Sequence, residues 1–493
     1  MQLKTILIFY DSDPADLKFA MEVAGVVRQS GFDPWLADNS VKRNWRTEVE
    51  DTAKSASCAG ALVIWTEKSK ENNIVCEEAS LVSGLKLPLL GLFANGVQQA
   101  PLGLGAGPRF HFNASDKPTA LVDLEKKVGT VFGDGGNARI LKLGEKHLTA
   151  PGMVLSVSSF ETQIEPEESL KLLKIAHPPA ILVSAYDILR PPLQKRSSNR
   201  LVAKPKIHDT SDLHELRADG SVVFLDSGNY EAMRYKDKDW IRGKKRLLEA
   251  QEIVEADLVF THDRLPNAKP FEKACAEERI DQVSKEFERD VKLVDCTVAP
   301  IIHAPRLPGN GYCYELLPNI CCGVAKAVNP KLIAVAEREL GDGLLKRVET
   351  IAKIRDALDR QKLPTCLHVL GTGNPITTAF LSLAGADFFD GLEWCRTAID
   401  GRRWRLYHFQ QWDLLASQSG MIESDVIGRV VSSDRPEIPW VTKAALHNLA
   451  FFLQADATIR EHHLNGEMEK LFFERLELDV AFMNAKKVID VIR

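Results

Sequence analysis

Residues 366–396, CLHVLGTGNPITTAFLSLAGADFFDGLEWCR, contain the clearest pattern in the chain. The apolar runs at 367–370 and 388–389 are candidate strands, and a helical segment lies between them. A polar or glycine-containing turn follows each run, GTGNP after the first and DG after the second. This order predicts two parallel strands joined by a crossover helix.

The same order recurs along the C-terminal two thirds of the chain. Eight apolar runs are candidate strands: 181–185, 222–225, 258–261, 299–302, 332–335, 367–370, 388–389 and 406–409. Most of them precede a turn and a helical segment, which predicts a (β/α)8 TIM barrel with its active site on the loops after the strands. Because the last two intervals between predicted strands are short, a doubly wound sheet is the alternative to the barrel.

Residues 1–132 show a second α/β pattern. Short apolar runs at 6–10, 34–37, 61–65 and 87–92 alternate with amphipathic stretches such as 15–28. They predict a small parallel sheet with helices on both faces. The sequence GDGGN at 133–137 is a Gly-rich linker, so we expect domains at 1–132 and 138–493.

Composition excludes several classes of protein. Of 493 residues, 45% are hydrophobic and 27% charged, which is typical of globular chains and excludes disordered and collagen-like ones. The net charge of −5 gives no overall basic field for nucleic acid. Nine cysteines without a CxxC pair predict a reduced, cytoplasmic protein, and the absence of a long apolar run predicts no membrane partner.

Polar residues follow most of the predicted barrel strands, and in a barrel they converge on one end. They are Asp226, Asp263, His303, Glu337, Gly371 and Asp390. Carboxylates that share a site repel each other, which raises one pKa while another group stays ionised. A site with one ionised and one protonated carboxyl group suits a reaction that needs one nucleophile and one acid/base. For any single aspartate the alternative is a cap on the following helix or turn.

Several motifs in a fixed order give this region a specific resemblance. FLDSGNYE resembles the DSGGFQ motif of the tRNA-guanine (queuine) transglycosylase family, and AVAERELGDG, HVLGTGNP and GADFFDGLEWCR resemble later motifs of that family. The resemblance implies that Asp390 attacks the ribose anomeric carbon and that Asp226 is the general acid/base. Two carboxylates suit this chemistry, since one traps an oxocarbenium-like centre and the other handles the leaving group's proton.

The resemblance also implies a base pocket for a guanine-type base of the 7-deazaguanine (queuosine) class, exchanged in tRNA or DNA. The implied base-binding residues are Asp263, Ser227, Gly228, His303 and Gly371. The chain departs from the family at Asn229, where the family has a second glycine, and at His303, where the family has its pocket glutamine. Glu337 and Arg338 replace paired glycines, so the base preference stays open.

The family's zinc site lacks its cysteines here. The stretch 398–446 contains no cysteine, and His447 on an amphipathic helix is more typical of a packed core residue than of a ligand. We therefore expect no metal and no other cofactor. Without this site we expect a substrate other than the usual tRNA anticodon loop, and modified DNA is preferred.

A basic cluster lies beside the predicted end of the barrel. Arg190, Lys195, Arg196 and Arg200 occur without an intervening acid, which predicts contacts with nucleic-acid phosphates. A second cluster, 234–246, contains Asp237 and is equally well explained as a solvated helix face.

Residues 6–96 resemble a TIR domain, which implies a flavodoxin-like fold. ILIFYDSDPAD resembles its first strand and SASCAGALVIWTEKSKENNIVCEEASL its third strand and the helix that follows. Enzymatic TIR domains cleave NAD with a glutamate in a WxxxE pattern, which falls on Glu78, with Ile74 replacing tryptophan and Glu77 as the neighbouring candidate. A glutamate can stabilise the charge that develops on ribose. The alternative is a scaffold domain with a solvent-facing Glu78.

Two functions therefore compete. In the first, the barrel is a transglycosylase and the TIR-like domain binds partners or forms a homo-oligomer. In the second, the barrel senses a nucleobase or nucleic acid and the TIR-like domain cleaves NAD as an effector in anti-phage defence. Retention of both Asp226 and Asp390 favours the first, because a sensor needs no nucleophile.

Overall fold

The computed structural model describes part of the chain and divides it into two compact units. The described residues are 4–29, 32–36, 45–55, 58–85, 87–94, 109–112, 121, 124, 128, 139–160, 162–189, 207–237, 240, 246–262, 276–307, 311–408, 415–433, 436–464 and 466–492. One unit is Met1–Ala138 with Arg460–Met468, and the other is Arg139–Ile459 with Glu469–Arg493. The linker predicted at 133–137 lies outside the described residues.

The first unit contains a five-stranded parallel sheet. Its strands are β1 (Thr5–Phe9), β2 (Asp33–Leu36), β3 (Cys58–Trp65), β4 (Leu89–Ala94) and β5 (Arg109–Phe112). Its helices include Pro14–Gln29, Trp45–Lys54 and Asn73–Gly84. The strand order β2-β1-β3-β4-β5 is that of flavodoxin-like folds, as the sequence predicts, although β5 was not expected. Successive residues of β1 and β3 point to opposite faces, so each face has its own buried core.

The second unit contains a parallel sheet that closes on itself. Its strands are β8 (Gly152–Val157), β9 (Ala180–Ser184), β10 (Val222–Asp226), β11 (Leu258–Phe260), β12 (Thr297–Ala299), β13 (Ile301–Ile302), β14 (Leu332–Ala336), β15 (Cys366–Leu370) and β16 (Phe388–Gly391). The order is β12-β11-β10-β9-β8-β16-β15-β14-β13. Pro300 has no N–H to donate and separates β12 from β13, which form one interrupted strand. Since β12 pairs with β11 and β13 with β14, eight strands close a barrel. The predicted barrel is confirmed, and the doubly wound alternative is wrong.

One predicted strand is wrong, and another was missed. The run at 406–409 is not a barrel strand, because Arg405–His408 forms an antiparallel hairpin with Thr397–Asp400. A parallel partner would require a crossover of a dozen or more residues, whereas only four residues separate these two strands. The eighth barrel strand is β8, all six residues of which are buried between β16 and β9.

A helix follows each of the first seven barrel strands. The longer ones are Pro166–Ala176, Ser211–Ala218, Arg246–Val254, Ala276–Val291, Leu317–Val328, Leu344–Arg360 and Pro375–Ala384. In the helix Pro375–Ala384, particular residues determine where the helix begins and ends. Asn374 accepts hydrogen bonds from the N–H groups of Ile376 and Thr377, Pro375 occupies the first turn, and Gly385 ends the helix at φ +107°.

A short hairpin closes the amino end of the barrel. Its strands are β6 (Ile140–Leu143) and β7 (Lys146–Thr149), and Leu141, Leu143 and Leu148 belong to the same buried cluster as the inward side chains of the barrel. Lys146 at the turn donates to the carbonyls of Arg217 and Ser221. The hairpin therefore leaves the opposite, carboxyl end of the barrel for a site.

The chain continues after the barrel mainly as helices. They are Glu393–Arg396, Leu415–Gln418, Asp425–Val431, Trp440–Leu464, Met468–Lys470 and Asp479–Ile492, with a π-helical turn at Leu471–Arg475. Among the described residues, no helix combines the length and the apolar character that a membrane crossing requires.

Candidate active site

Asp390 lies at the end of β16 and is held by three donors. Its Oδ1 accepts from His368 Nε2 at 2.9 Å and from the N–H of Gly371 at 3.1 Å, and its Oδ2 accepts from Ser156 Oγ at 3.0 Å. The residue is 8% exposed. Three donors, from the neighbouring strands β8 and β15 and from the turn after β15, fix the orientation of the carboxylate, which suits a nucleophile that must meet a carbon atom along one direction.

His368 lies under the carboxylate, inside the barrel. The ring is fully buried against Phe260 and Phe224, at centroid distances of 5.5 and 6.0 Å. Its Nδ1 has no hydrogen-bond partner among the described residues. Because a proton on Nδ1 would have no described acceptor, this environment favours the tautomer that carries the proton on Nε2 and donates it to Asp390.

Asp226 lies at the end of β10, and two strands, β9 and β8, separate it from the Asp390 strand β16 in the closed sheet. Its Oδ2 accepts from the N–H of Gly228 at 3.0 Å. Gly228 has φ +75°, and a β-carbon there would lie 2.5 Å from the β-carbon of Tyr186. Only glycine therefore fits this turn, which directs the Asp226 carboxylate. Ser227 is buried, and its carbonyl accepts from Trp240 Nε1 at 3.2 Å.

Two further buried acids lie behind Asp226. Glu231 accepts from Ser158 Oγ at 2.8 Å and from Ser184 Oγ at 3.1 Å. Burial, followed by the charges of Asp187 and Asp226, raises the pKa of Glu231 to about 8. Burial also raises the pKa of Asp187 to about 6, against the hydrogen bonds from Ser159. Near neutral pH this cluster therefore holds at least one protonated carboxyl group close to Asp226.

His303 follows β13 and is paired with a glutamate that the sequence interpretation did not single out. His303 Nδ1 lies 2.8 Å from Glu339 Oε1, and Glu339 Oε2 accepts from the N–H of Ala304 at 2.9 Å. Both side chains are buried. Glu337 forms an ion pair with Arg347, and burial raises its pKa despite that pair. The predicted base pocket thus carries an imidazole held by a carboxylate.

The structure describes only some of the predicted site residues. Asp226, Ser227, Gly228, His303, Gly371 and Asp390 all lie at the carboxyl ends of the barrel strands. The N–H of Gly371 donates to Asp390, so this residue, predicted to bind the base, also contacts the predicted nucleophile. Asp263 and the four basic residues Arg190, Lys195, Arg196 and Arg200 lie outside the described residues, and their roles stay predictions.

In the second basic cluster, two arginines lie over aromatic rings. Arg234 Cζ is 5.1 Å from the ring centroid of Tyr230 and 5.6 Å from that of Phe160. Arg246 Cζ is 4.8 Å from that of Trp240. These contacts favour local packing as one role of the cluster.

Glu78 in the first unit is fully buried in the helix Asn73–Gly84, while Glu77 is exposed. Neither carboxylate oxygen of Glu78 has a hydrogen-bond partner among the described residues. Burial raises its pKa to about 8. The carboxyl is therefore mostly protonated at neutral pH. The alternative of a solvent-facing Glu78 is wrong.

The residues around the family's zinc position do not fit a zinc ion. No cysteine occurs between 398 and 446, and His447 Nε2 lies 3.0 Å from the carbonyl oxygen of Ile399. The ring also packs on Phe451. In the part of the chain that the structure describes, no cluster of three or more potential ligands could hold a metal.

Ser156, His368 and Glu231 were missed from the sequence. Ser156 lies near the end of β8, which was not recognised as a barrel strand. His368 stands in the quoted motif HVLGTGNP, where a polar residue inside an otherwise apolar strand was an available signal. Glu231 ends DSGNYE, and it takes the place of the glutamine in the DSGGFQ motif that this segment resembles.

Comparison with known proteins gives a distant relative but no matching family model. No protein-family model matches the chain. The tRNA-guanine(15) transglycosylase of Sulfolobus acidocaldarius is 22% identical over 319 residues, 62% of this chain and 61% of the relative. The chain thus spans about three fifths of that protein's length. This distant similarity agrees with the transglycosylase resemblance drawn from the sequence, while the TIR resemblance stays a prediction.

Proposed function

We propose that the C-terminal barrel is a transglycosylase that breaks an N-glycosidic bond in a polynucleotide and exchanges a guanine-type base. The observation that carries the proposal is the orientation of Asp390 by Ser156, His368 and Gly371 at the carboxyl end of the barrel. A helix-capping aspartate would accept from the N–H groups of its own helix, whereas Asp390 accepts from two neighbouring strand ends and the loop after β15.

The reaction has two balanced steps. Asp390 attacks C1′ of the nucleotide, the bond from C1′ to the base nitrogen breaks, and Asp226 gives a proton to the departing base. In the second step the incoming base gives its N–H proton to Asp226 and attacks C1′, which releases Asp390. The same carboxyl acts as acid and then as base, so the protein ends in its starting state.

The name of the relative includes tRNA and guanine, which supports a polynucleotide and a guanine-type base as substrates. A 7-deazaguanine of the queuosine class is the proposed incoming base. The pair of His303 and Glu339 places a charged or protonatable group where the resembled family has an amide, so the preferred base is expected to differ from that of the family. We place the reaction in the cytoplasm.

The test is base exchange with labelled guanine in total tRNA and in genomic DNA. Asp390→Asn is expected to abolish both exchange and the covalent intermediate trapped on a denaturing gel. Asp226→Asn is expected to lower exchange at least 100-fold, because the base would leave without a proton. Asp281→Asn is the control, since Asp281 is 62% exposed and pairs only with Lys285 in the described structure. Exchange by Asp390→Asn at the parental rate would overturn the proposal.

The second candidate is an NAD-cleaving TIR-like unit controlled by a barrel that senses a nucleobase or nucleic acid. The observation in its favour is Glu78, a buried carboxyl without a described partner. Such a group is costly for a mere scaffold, whereas a site that binds a nicotinamide ribose would use it. A scaffold that forms homo-oligomers is the remaining role for this unit.

An NAD-consumption assay with and without nucleic acid separates these roles. Parent, Glu78→Gln and Asp390→Asn are compared under the same conditions. Loss of NAD cleavage only in Glu78→Gln supports the effector. Absence of NAD cleavage under every condition, with base exchange intact, leaves the unit as a binding module.

A further inference from the structure

Glu393 carries a carboxylate oxygen that the proposed reaction does not use. It begins the short helix Glu393–Arg396, three residues after Asp390. Its Oε2 is buried and has no hydrogen-bond partner among the described residues. Because a buried polar atom without a partner is costly, this oxygen calls for an explanation.

Two glycines create the space in which this carboxylate lies. A β-carbon on Gly373 would come within 2.1 Å of Glu393 Oε2, and one on Gly391 within 2.2 Å. Neither glycine has a positive φ, so close approach rather than backbone conformation is what requires them. Glu393 is therefore seated between the ends of β15 and β16.

The two glycines that contact Glu393 lie close to the proposed nucleophile, Asp390. Gly391 directly follows Asp390, and Gly373 lies two residues after Gly371, whose N–H donates to Asp390. Burial raises the pKa of Glu393, against a hydrogen bond from its own N–H and the charge of Arg396, and the negative charges of Asp390 and Glu337 raise it further. The carboxylate thus belongs to the same end of the barrel and feels the charge of the nucleophile.

The position of Glu393 favours the sugar over the base as its ligand. Among the described residues, those predicted to read the base follow β10, β13 and β15, whereas Glu393 follows β16, the strand that carries Asp390. When Asp390 attacks C1′, the C2′ carbon is one bond from the reacting centre. A 2′-hydroxyl would be the nearest sugar donor to a carboxylate beside Asp390.

We propose that Glu393 binds the 2′-hydroxyl of the target nucleotide and makes the protein specific for RNA over DNA. This inference rests on the proposed transglycosylase function and disagrees with the preference for modified DNA drawn from the sequence. A ribonucleotide gives the buried oxygen the donor that it lacks, whereas a deoxynucleotide leaves it buried and unpaired. Hydrogen bonds to this hydroxyl also strengthen in oxocarbenium-like transition states.

The experiment measures exchange of labelled guanine in matched RNA stem-loops. The exchanged guanosine is first located in total tRNA, and stem-loops with either guanosine or 2′-deoxyguanosine at that one position are then compared. We expect the parent to prefer the ribonucleotide about 10- to 100-fold in kcat/KM, the range of one hydrogen bond to a charged group. Glu393→Gln and Glu393→Ala are expected to lose most of this preference by slowing only the ribonucleotide.

Glu252→Gln, which changes an exposed glutamate of the helix Arg246–Val254, is the control and should keep the parental ratio. A misfolded variant would slow both stem-loops equally, so the ratio separates binding of the hydroxyl from a structural role. If the parent exchanges guanine but shows no preference for the ribonucleotide, or if both variants keep that preference, this inference is wrong while the proposed function stands. Absence of exchange in every polynucleotide overturns both.

Discussion

Glu78→Gln is expected to stabilise the N-terminal unit, and the gain should grow as the pH rises. The Glu78 carboxyl is buried without a described partner, which raises its pKa from 4.5 to about 8. Between pH 4.5 and about pH 8, Glu78 has released its proton in the unfolded chain but keeps it in the folded chain. The free energy of unfolding of the parent therefore falls across this window, whereas a glutamine has no proton to release.

The size of the gain follows from the two pKa values, at about 1.36 kcal/mol for each pKa unit. At pH 7 the gain is about 3 kcal/mol, and above pH 8 it reaches about 5 kcal/mol. These values are upper limits, because the unit can open slightly and admit water when the carboxyl ionises. Near pH 5 the gain should be below about 1 kcal/mol, since this pH lies only slightly above the pKa of the unfolded chain.

Native-state hydrogen exchange of the peptides that cover β1 and β3 measures this gain. Parent and variant share the same intrinsic exchange rates at each pH, so the difference in protection reports the difference in stability. Glu77→Gln is the matched control, because it removes the same charge from the exposed neighbouring position. Equal protection of parent and Glu78→Gln near pH 8.5, or a gain independent of pH, would show that Glu78 is paired or solvated.

Three further predictions concern the barrel. His368→Leu should lower kcat for base exchange about 10- to 100-fold with little change in KM, because Asp390 loses one of its three donors. Steady-state kinetics checks this prediction, and an unchanged kcat would contradict it. Glu231→Gln should remove the dependence of the exchange rate on pH near 8, since a glutamine has no carboxyl with a pKa of about 8 to ionise beside Asp226. A rate profile between about pH 6 and 10 that matches the parent would refute this. Gly228→Ala should lower the melting temperature by several degrees, because the β-carbon of the alanine would clash with Tyr186. Calorimetry measures this change. Gly144→Ala is the control, since Gly144 also has a positive φ but no atom lies where its β-carbon would be.

The barrel was predictable because its strands are short, apolar and followed by polar turns. The exception shows the limit of that pattern. Residues 406–409 and 152–157 are both short runs with apolar residues, and sequence alone does not say which one the barrel buries. The difference arises from the pairing of β8 with β16 and β9, which is a property of the closed sheet.

Asp390 and Asp226 were identified because each stands in a motif directly after a strand. Their partners were harder to predict, since each partner comes from a different strand. Ser156 and His368 are separated from Asp390 by 234 and 22 residues, and only the closed barrel brings the three together. Glu339 likewise reaches His303 across 36 residues.

Buried acids account for most of what the sequence left open. Glu78, Glu231 and Glu393 are ordinary glutamates in a sequence, and their burial becomes visible only in the fold. Burial of each carboxyl group lowers the stability of the fold, but the three groups lie in different environments. Glu231 accepts hydrogen bonds from two serines, and Glu78 has no described partner. Glu393 lies against two glycines beside Asp390. The serine pair is sufficient to explain why Glu231 is tolerated. Both carboxylate oxygens of Glu78 and Oε2 of Glu393 have no hydrogen-bond partner among the described residues, so a ligand that donates a hydrogen bond would relieve the cost at both places.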